Sequence, residues 1–409
     1  DCPTPHAPRR TPHTVRRIKQ LAKAVLNRVF IKMKKTISIM LQIISYILIL
    51  LIISIFIFLL IVSPGKPKPV TGPDGKPVEG SFSEKVFLTI GGVRQGMFIR
   101  GKDPANPVLL FIHGGPCFSE FFLVEKYPTG LENNFTVCYW EERGGGLSFS
   151  PQIPKESLTL EQLASDAIEV TNYLRDRFKK DKIFVMAHSG GTAFAIRAVA
   201  KYPKLFHAYI GVSQITTQAE SERLTYKYMT DKYSTAGNSK MTSEFKKYPI
   251  LENDSFLLPY FNSVLRDKAM HDLGIGTMRN MKSIFTGVFF PVWTCRAYTM
   301  REKFNIWRSK FFFINKSGLR QQIMESDITS QVTRIEIPVY FISGKYDLTV
   351  HHDLSENYLL KLDAPLKRFY TFENSAHSPL FEEPERFLEI VISNIRQENI
   401  VNSELNSNK

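Results

Sequence analysis

One serine of this chain lies at the junction between two segments of different local preference. Residues 187–191 read Ala-His-Ser-Gly-Gly, preceded by the apolar, β-favouring residues 183–186 and followed by the helix-forming residues 193–197. This order predicts a strand, a sharp turn and a helix, with Ser189 at the tip of the turn. Small neighbours permit a strained backbone there, and the helix directs its N-terminal N–H groups at a reacting acyl oxygen. Ser189 is therefore a candidate nucleophile, although Ala187 replaces the first glycine of the usual Gly-x-Ser-x-Gly pattern and an ordinary loop is the alternative.

A carboxylate and an imidazole follow in the chain, each just past a predicted strand. The strand within residues 337–344 ends in glycine and is followed by Asp347, and the strand 368–372 leads into the loop that contains His377. The carboxyl ends of parallel strands meet at one edge of a sheet, where ligand sites form. The chain order serine, aspartate, histidine predicts a triad in which His377 takes the proton of Ser189 and Asp347 orients and stabilises the imidazole.

Three neighbours of Asp347 compete for these roles. Asp353 falls within the next predicted helix, and His351 and His352 follow Asp347 too closely to be aimed back at it. We therefore assign the acid to Asp347 and the base to His377.

Glycines after another buried strand could supply hydrogen-bond donors. The apolar run 108–112 has the length of a strand and is followed by His-Gly-Gly-Pro at residues 113–116. Glycine lets backbone N–H groups approach a ligand closely. We predict an oxyanion hole formed by the N–H of Gly190 and that of Gly114 or Gly115, each worth about 2.7–4 kcal/mol of transition-state stabilisation. A plain Gly/Pro turn is the alternative.

A second glycine-rich loop follows the predicted strand 135–140. Residues 141–148 read Glu-Glu-Arg-Gly-Gly-Gly-Leu-Ser, but the Gly-Lys-Ser/Thr of a phosphate-binding loop does not follow. The sequence predicts instead a structural turn held by an arginine–carboxylate pair. An amphipathic helix over residues 159–178, with apolar residues at helical spacing, then leads into the strand before Ser189.

Four segments together resemble α/β-hydrolases of the proline iminopeptidase type, the S33 peptidase group. Residues 113–117, His-Gly-Gly-Pro-Cys, resemble the family's His-Gly-Gly-Pro-Gly, and residues 141–148 resemble its Asp-Gln-Arg-Gly-x-Gly-x-Ser. The serine turn at residues 187–191 and the histidine segment 373–384 are the other two. The resemblance covers roughly residues 83–397.

The chain departs from the family pattern at three positions. Cys117 replaces a glycine beside the predicted oxyanion loop, Ala187 replaces the first glycine of the serine turn, and Glu141 replaces an aspartate. The shape of the oxyanion loop therefore depends on whether cysteine can take the place of glycine.

The resemblance implies an α/β-hydrolase fold, in which a mostly parallel sheet is flanked by helices and a helical cap is inserted before the acid-bearing strand. Residues 214–334 fit that insertion, because strand–helix alternation lapses there and long helices are predicted instead, over residues 221–233, 257–273 and 295–312. A separate accessory domain is the alternative. In the family, acidic residues of the cap bind the α-amino group of the substrate, and Glu220 and Glu222 are candidates for that role. The chemistry needs neither a metal nor a cofactor.

The N-terminal part of the chain predicts a membrane anchor. No charged residue occurs from Ile37 to Val62, and this segment exceeds the ~20 apolar residues that span a bilayer as a helix. Positive charge is denser before it, at Lys34 and Lys35, than after it, which predicts a cytoplasmic N-terminus and a catalytic domain outside the cytoplasm, at the cell membrane. A cleaved signal peptide and a buried core helix are the alternatives; signal h-regions are shorter, ~7–15 residues.

The residues before the anchor allow two interpretations. The native chain could start at Met33, in which case residues 1–32 are a leader. Alternatively, residues 15–30 form a basic amphipathic helix on anionic lipid. Neither changes the expected orientation.

Charge and cysteine content argue against two other classes. Of the formal net charge of +14 on 409 residues, +9 lies in residues 1–35, and no motif of interleaved basic and aromatic residues accompanies it. Nucleic-acid binding is therefore not expected. The four cysteines, at positions 2, 117, 138 and 295, lack the spacing of a metal site or a disulfide framework.

These observations predict a tethered enzyme. Its predicted parts are a basic segment 1–36, a transmembrane anchor 37–62, a Pro/Gly-rich linker 63–80, a core formed by 81–213 and 335–398, and a helical cap 214–334. The predicted function is a membrane-anchored serine hydrolase that removes an N-terminal residue, such as proline, from short peptides. An ester hydrolase with the same triad and a non-catalytic binding protein of the same fold are the alternatives, and the oligomeric state stays open.

Overall fold

A computed structural model describes residues 12–72 and 74–399, and the contacts within it divide the chain into two compact units. The first unit ends at Ile61, and its described part is one helix, α1, Pro12–Ile61. Because neither glycine nor proline interrupts the chain between Pro12 and Ile61, the basic and apolar segments form one continuous helix. The rest of the predicted basic segment lies outside the described residues.

Helix α1 is long and apolar enough to cross a membrane. The qualifying stretch is Arg16–Ile61, whose most apolar window has a mean hydropathy of 3.2 and no buried residue. A signal sequence near an N-terminus has the same properties. The helix ends before Ser63 and Pro64, where proline cannot continue a helix.

The second unit is built on a single sheet of eight strands. The strands are β1 Phe82–Ile90, β2 Val93–Gly101, β3 Val108–Ile112, β4 Thr136–Glu141, β5 Ile183–His188, β6 Phe206–Val212, β7 Val339–Gly344 and β8 Lys367–Phe372. Their spatial order is β1-β2-β4-β3-β5-β6-β7-β8. The β1–β2 and β2–β4 pairs are antiparallel, and all the other neighbours are parallel. The sheet is therefore mostly parallel, as the sequence predicts.

Fourteen further α-helices are assigned in the described part of the second unit. They are α2 Phe121–Lys126, α3 Leu160–Phe178, α4 Thr192–Lys201, α5 Gln218–Thr235, α6 Ser239–Phe245, α7 Leu257–Phe261, α8 Val264–Asp272, α9 Phe290–Thr294, α10 Met300–Arg308, α11 Leu319–Glu325, α12 Ile328–Gln331, α13 His352–Lys361, α14 Pro379–Glu382 and α15 Pro384–Glu389. Segments with π-helical hydrogen bonding are Phe285–Phe289, Ser309–Phe313 and Ile390–Arg396.

Burial explains why the central strands could be read from the sequence. Every residue of β3, β4, β5 and β7 is buried, because helices cover both faces of a parallel sheet. Such strands appear in the sequence as continuous apolar runs. Helix α3 begins after Thr159, whose side chain accepts a hydrogen bond from the Gln162 N–H, and its predicted apolar stripe is buried.

The segment between β6 and β7 holds the helices α5–α12. It has a hydrophobic cluster of its own, which includes Tyr226, Phe245 and Tyr260, and its two ends meet where Thr217 pairs with Asp327. The boundaries predicted for the cap stay a prediction.

Two of the long helices predicted in this segment are wrong. Residues 257–273 form two helices rather than one, because Ser263 lies between them in an extended conformation and caps α8. The helix predicted over 295–312 begins only at Met300, after a capping box formed by Thr299 and Glu302, and changes to π-helical hydrogen bonding at Ser309.

Candidate active site

Ser189 lies at the tip of a strained turn between β5 and α4. Its φ angle is +50°, in the left-handed region that is costly for any residue with a side chain. The turn is possible because Gly190 packs against the neighbouring loop, where an added Cβ would lie 2.7 Å from the Pro116 nitrogen. The local geometry is thus the strained strand–turn–helix that the residue pattern predicts.

The structure brings together the three side chains predicted as the triad. His377 Nε2 lies 2.7 Å from Ser189 Oγ, and His377 Nδ1 lies 3.0 Å from each oxygen of Asp347. Asp347 is fully buried and His377 is 5% exposed. Asp347 follows β7 and His377 follows β8, so adjacent parallel strands deliver both groups to one edge of the sheet.

The charge state of Asp347 follows from its surroundings. Burial alone would raise the pKa of its carboxyl group, but the neighbouring His377 and hydrogen bonds from His377 and the Val350 N–H lower it below the usual value. The Thr349 and Val350 N–H groups both donate to Asp347 Oδ1 at 3.0 Å. Asp347 is therefore an anion that can orient an imidazole and stabilise its charged form.

The predicted oxyanion loop lies directly beside Ser189. An added Cβ on Gly114 would lie 2.9 Å from Ser189 Cβ, so the backbone reaches the serine only because the residue is glycine. Among the described residues, the Gly115 N–H donates to no other group, whereas the Gly114 N–H faces the Glu120 carboxylate and helps to lower its pKa.

Cys117, at the position where the family pattern has glycine, adopts a left-handed backbone conformation. Its φ angle is +58°, a value that glycine adopts without cost, and its N–H donates to Glu142 Oε2 at 2.7 Å. The Cys117 side chain is fully buried, and burial raises the pKa of its thiol well above the usual value. The thiol is therefore neutral and is a packing group rather than a second nucleophile.

A second buried pair, which the sequence analysis missed, lies behind Ser189. His188 Nδ1 is 2.9 Å from Glu120 Oε2, and His188 Nε2 is 2.9 Å from the backbone oxygen of His377. The Ser213 hydroxyl donates to the same oxygen at 2.9 Å. Burial opposes both charges, but attraction within the pair wins: the pKa of His188 is raised and that of Glu120 is lowered. No local pattern links Glu120 to His188, which are 68 positions apart.

The loop 141–148 contains the predicted arginine–carboxylate pair, but the carboxylate comes from another element. Arg143 binds Asp166 of α3 through two hydrogen bonds, at 2.8 and 2.9 Å. Both side chains are buried, and Arg143 also donates to the Gly91 oxygen at 2.9 Å. The pair fixes the loop against α3 and the first hairpin, a structural role as predicted.

The two acids suggested for amino-group binding are in different environments. Glu222 is buried and forms a two-point ion pair with Arg266, with N–O distances of 2.6 and 2.7 Å. Glu220 is exposed and lies 3.7 Å from Arg223. Within the described contacts, neither carboxylate bonds to a triad member. Recognition of an amino group by either residue stays a prediction, and the charge of Glu222 is already balanced by Arg266.

Glu382 is a further carboxylate that the sequence analysis missed. It accepts hydrogen bonds from the Ala376 N–H at 2.9 Å and the Ser378 N–H at 3.3 Å, on both sides of His377. It also accepts one from the Arg279 N–H at 2.6 Å, in the segment between β6 and β7. Burial raises the pKa of Glu382 to about 7. This residue therefore ties the histidine loop to the helices that follow β6.

One group of possible metal ligands occurs in the part of the chain that the structure describes. The ligand atoms of His352, Asp353 and Glu356 lie within 4.8 Å of one another at the start of α13. Both acids are exposed, and the two nitrogens of His352 already face Asp353 and Thr371. We assign no metal to this group.

Comparisons with known proteins agree with this geometry. Residues 107–250 match the family described as serine aminopeptidase, S33. A probable aminopeptidase, YbaC, of Bacillus subtilis is 33% identical over 76% of this chain and 96% of its own length. A proline iminopeptidase of Saccharolobus solfataricus is 26% identical over 70% of this chain and 84% of its own length.

Solved structures give the fold. The crystal structure of proline iminopeptidase from Mycobacterium smegmatis superposes with a TM-score of 0.52 and covers 78% of this chain and 99% of its own, at 14% identity. The crystal structure of VinJ gives a TM-score of 0.56 over 77% of this chain and 98% of its own, at 16% identity. Identity with YbaC over most of both chains, together with the S33 match, is evidence for kinship and not only for shape. The chain belongs to the S33 serine aminopeptidase family of α/β-hydrolases.

Proposed function

We propose that this hydrolase is a membrane-anchored aminopeptidase of the proline iminopeptidase type, which removes the N-terminal residue of short peptides. The observation that carries the proposal is the unbroken chain of hydrogen bonds from Asp347 through His377 to Ser189, with His377 Nε2 2.7 Å from the hydroxyl. The similarity to YbaC and to the proline iminopeptidase of Saccharolobus solfataricus supports the class of substrate.

The proposed reaction follows from the positions of these groups. His377 takes the proton of Ser189 as its oxygen attacks the carbonyl carbon of the first residue, and Asp347 stabilises the imidazolium that forms. The N–H groups of Gly190 and of Gly114 or Gly115 bind the oxyanion. His377 then gives the proton to the leaving amine, and water, activated by the same imidazole, releases the acyl group.

The proposed anchor is α1, with its N-terminus in the cytoplasm and the second unit outside it. Length and hydropathy support a span, and the lysines before residue 37 support the orientation. Resistance of the full chain to alkaline extraction from membranes would support this anchorage, whereas a processed chain that lacks α1 would mean a signal sequence.

Ester hydrolysis is the second candidate because aromatic residues lie close to the oxyanion loop. Phe118 follows that loop, and its ring lies 6.0 Å from the ring of Trp307. Such apolar surface would suit the acyl group of an ester as well as the side chain of a peptide.

One substrate panel separates the candidates. Full-length protein is assayed with prolyl- and other aminoacyl-arylamides and with short-chain aryl esters, with Ser189→Ala as the control. We expect arylamide cleavage that falls by at least about 10⁴-fold in the variant. Ester turnover without arylamide cleavage would reject the peptidase. If a fluorophosphonate probe fails to label Ser189 in folded protein, the fold serves binding rather than catalysis.

A further inference from the structure

Aromatic side chains form an exposed face on the segment between β6 and β7. This aromatic face consists of Phe285, Phe289, Phe290, Trp293, Phe304 and Trp307. Phe285, Phe290 and Phe304 are 66%, 56% and 50% exposed. Among the described residues after Ile61, every phenylalanine that is exposed lies between positions 285 and 311. Contiguous apolar surface of this kind marks an interaction site in most soluble domains.

The rings of the aromatic face contact one another. Phe289 lies at its centre, with ring centroids 5.6 Å from Phe290 and 5.5 Å from Trp307. Trp293 lies 4.9 Å from Phe304 in an edge-to-face arrangement. The face is therefore one packed surface rather than scattered side chains, and its exposed rings are held in place.

The chain that follows α1 is bonded to the edge of this face. Lys303 Nζ donates to the Val62 oxygen and to Ser63 Oγ, at 2.8 and 2.9 Å, and to the oxygen of Trp293 at 2.8 Å. Farther along, the Lys66 N–H donates to the Arg296 oxygen at 3.1 Å, and Pro64 pairs with Thr299. The residue that directly follows the apolar helix is thus fixed beside the aromatic face.

A basic groove adjoins the aromatic face and shares Phe290 with it. The groove has a volume of about 410 Å³, and its charged lining is Lys68, Lys126, Arg296 and Glu125. Lys126 Nζ donates to the Thr286 oxygen at 3.1 Å, and Lys68 lies 3.3 Å from Glu125. The groove therefore carries three cationic side chains and one carboxylate, next to the exposed rings. Basic side chains attract anionic lipid headgroups, and exposed aromatic rings insert into the upper acyl region.

We propose that the aromatic face docks on the bilayer surface, with its rings in the interface and the basic groove on anionic headgroups. The proposal rests on the proposed anchorage by α1, because a span that ends at Ile61 leaves the bilayer where Val62 is bonded to Lys303. Aromatic side chains such as phenylalanine and tryptophan favour the interface between the headgroups and the acyl chains.

The docked face would also connect the membrane surface to the proposed active site. Trp307 of the face contacts Phe118, and Phe118 packs against the oxyanion loop, where its Cβ lies 2.6 Å from a Cβ added to Gly115. A substrate whose apolar part dissolves in the interface would therefore approach Ser189 along this aromatic path.

The three tryptophans of the chain make a direct test possible. Trp293 and Trp307 belong to the face, whereas Trp140 is fully buried in β4 and bonded to Gln95. Full-length protein is reconstituted in phosphatidylcholine vesicles with or without lipids brominated near the headgroup end of the acyl chains, and tryptophan fluorescence is measured. We expect bromolipid to quench the wild type, and we expect most of that quenching to disappear in Trp293→Phe/Trp307→Phe.

A second set of variants keeps both tryptophans of the aromatic face. Phe285→Ser, Phe290→Ser and Phe304→Ser combined should reduce the quenching, whereas Leu360→Ser, at a leucine that is 70% exposed on α13, should leave it unchanged. Phosphatidylglycerol should increase the quenching of the wild type but not of Lys68→Gln/Lys126→Gln.

The outcomes separate this proposal from the others. Protein that resists alkaline extraction but is not quenched would overturn the docking alone. Protein released by alkaline extraction would overturn the anchorage and the docking with it. Cleavage of a soluble arylamide, measured on the same samples, reports the proposed peptidase activity independently of both.

Discussion

Two carboxylate–histidine pairs lie close to Ser189, and they differ in what the second nitrogen of the imidazole faces. In both, a buried carboxylate lies about 3 Å from Nδ1: Asp347 with His377, and Glu120 with His188. Nε2 of His377 faces a hydroxyl, which can donate or accept a hydrogen bond. Nε2 of His188 faces a backbone carbonyl oxygen, which can only accept.

This difference gives chemically similar pairs different capacities to accept a proton at Nε2. Since both nitrogens of His188 face acceptors, both carry protons, and His188 with Glu120 forms a buried ion pair. His377 can be neutral at Nε2 and accept the proton of Ser189, as a general base must. The partner of Nε2, rather than the carboxylate, therefore decides what each imidazole can do. His377 can act as a base towards Ser189, whereas His188 can only donate a hydrogen bond to the backbone of His377.

The largest expected effect is on the pair that we assign to catalysis. Asp347→Asn should lower kcat by about 10⁴-fold, because an amide at this position favours the wrong tautomer of His377. Steady-state kinetics on an aminoacyl-arylamide measure it, with the far-ultraviolet circular dichroism spectrum as the control for folding. A fall of less than tenfold would remove Asp347 from the triad.

The second pair should respond in stability. His188→Leu leaves the Glu120 carboxylate buried without a partner and should lower the free energy of unfolding by about 3–5 kcal/mol at neutral pH. The loss should shrink as the pH falls, because Glu120 then takes up a proton. Urea unfolding of the second unit, at neutral and at lower pH, measures the loss and its dependence on pH. The double variant Glu120→Leu/His188→Leu should recover most of the stability; if it does not, the loss comes from packing and not from charge.

Gly114 lies between Glu120 of the second pair and Ser189, so a side chain there should disturb both residues. An added Cβ would lie 2.8 Å from Glu120 Oε1 and 2.9 Å from Ser189 Cβ. Gly114→Ala should displace the oxyanion loop and lower kcat by about 10²–10³-fold, the effect of one lost oxyanion donor. Gly237→Ala is the matched control, because an added Cβ there meets nothing within 4 Å, although its φ of +65° adds some backbone strain. Equal losses in the two variants would contradict the assignment.

The smallest expected effect is that of the same carboxylate-to-amide change at the second pair. In Glu120→Gln the new amide can donate to His188 Nδ1, so neutral His188 keeps its Nε2 proton on the His377 oxygen. We expect kcat within about tenfold of the wild type, since an ordinary hydrogen bond is worth about 0.5–1.5 kcal/mol. A loss as large as that of Asp347→Asn would show that both pairs share one catalytic role.

The pH dependence of stability should separate this variant from the wild type. The pKa of His188 is raised on folding, so its contribution is complete below about pH 6.5 and is lost as the pH rises through the folded value. The pKa of Glu120 is lowered on folding, so its contribution is lost as the pH falls through its folded value. Glu120→Gln should remove both of these pH-dependent contributions to the free energy of unfolding. Urea unfolding of both proteins across a range of pH measures this. If the variant and the wild type show the same dependence of unfolding free energy on pH, the ion pair is absent.

Much of the sheet could be read from the sequence, as could the helix predicted over residues 221–233, which lies within α5, but two other long helices predicted between β6 and β7 were wrong. The strands β3, β5 and β7 are largely apolar runs with a glycine at the strand end or two positions after it, and buried parallel strands leave such apolar runs in the sequence. The break between α7 and α8 depends on Ser263 adopting an extended conformation. Apolar spacing does not reveal such a break, because both halves keep the same periodicity.

The sequence by itself determined the strand–turn–helix around Ser189, the order of the three candidate triad residues, and the length of the apolar helix, since each depends on neighbouring residues. Only the tertiary structure decided that Glu120 charges His188, that Asp166 holds Arg143, and that Arg266 neutralises Glu222. These contacts join segments far apart in the chain. Their energy depends on burial and on distances of about 3 Å, which the folded sheet and helices set and no local pattern encodes.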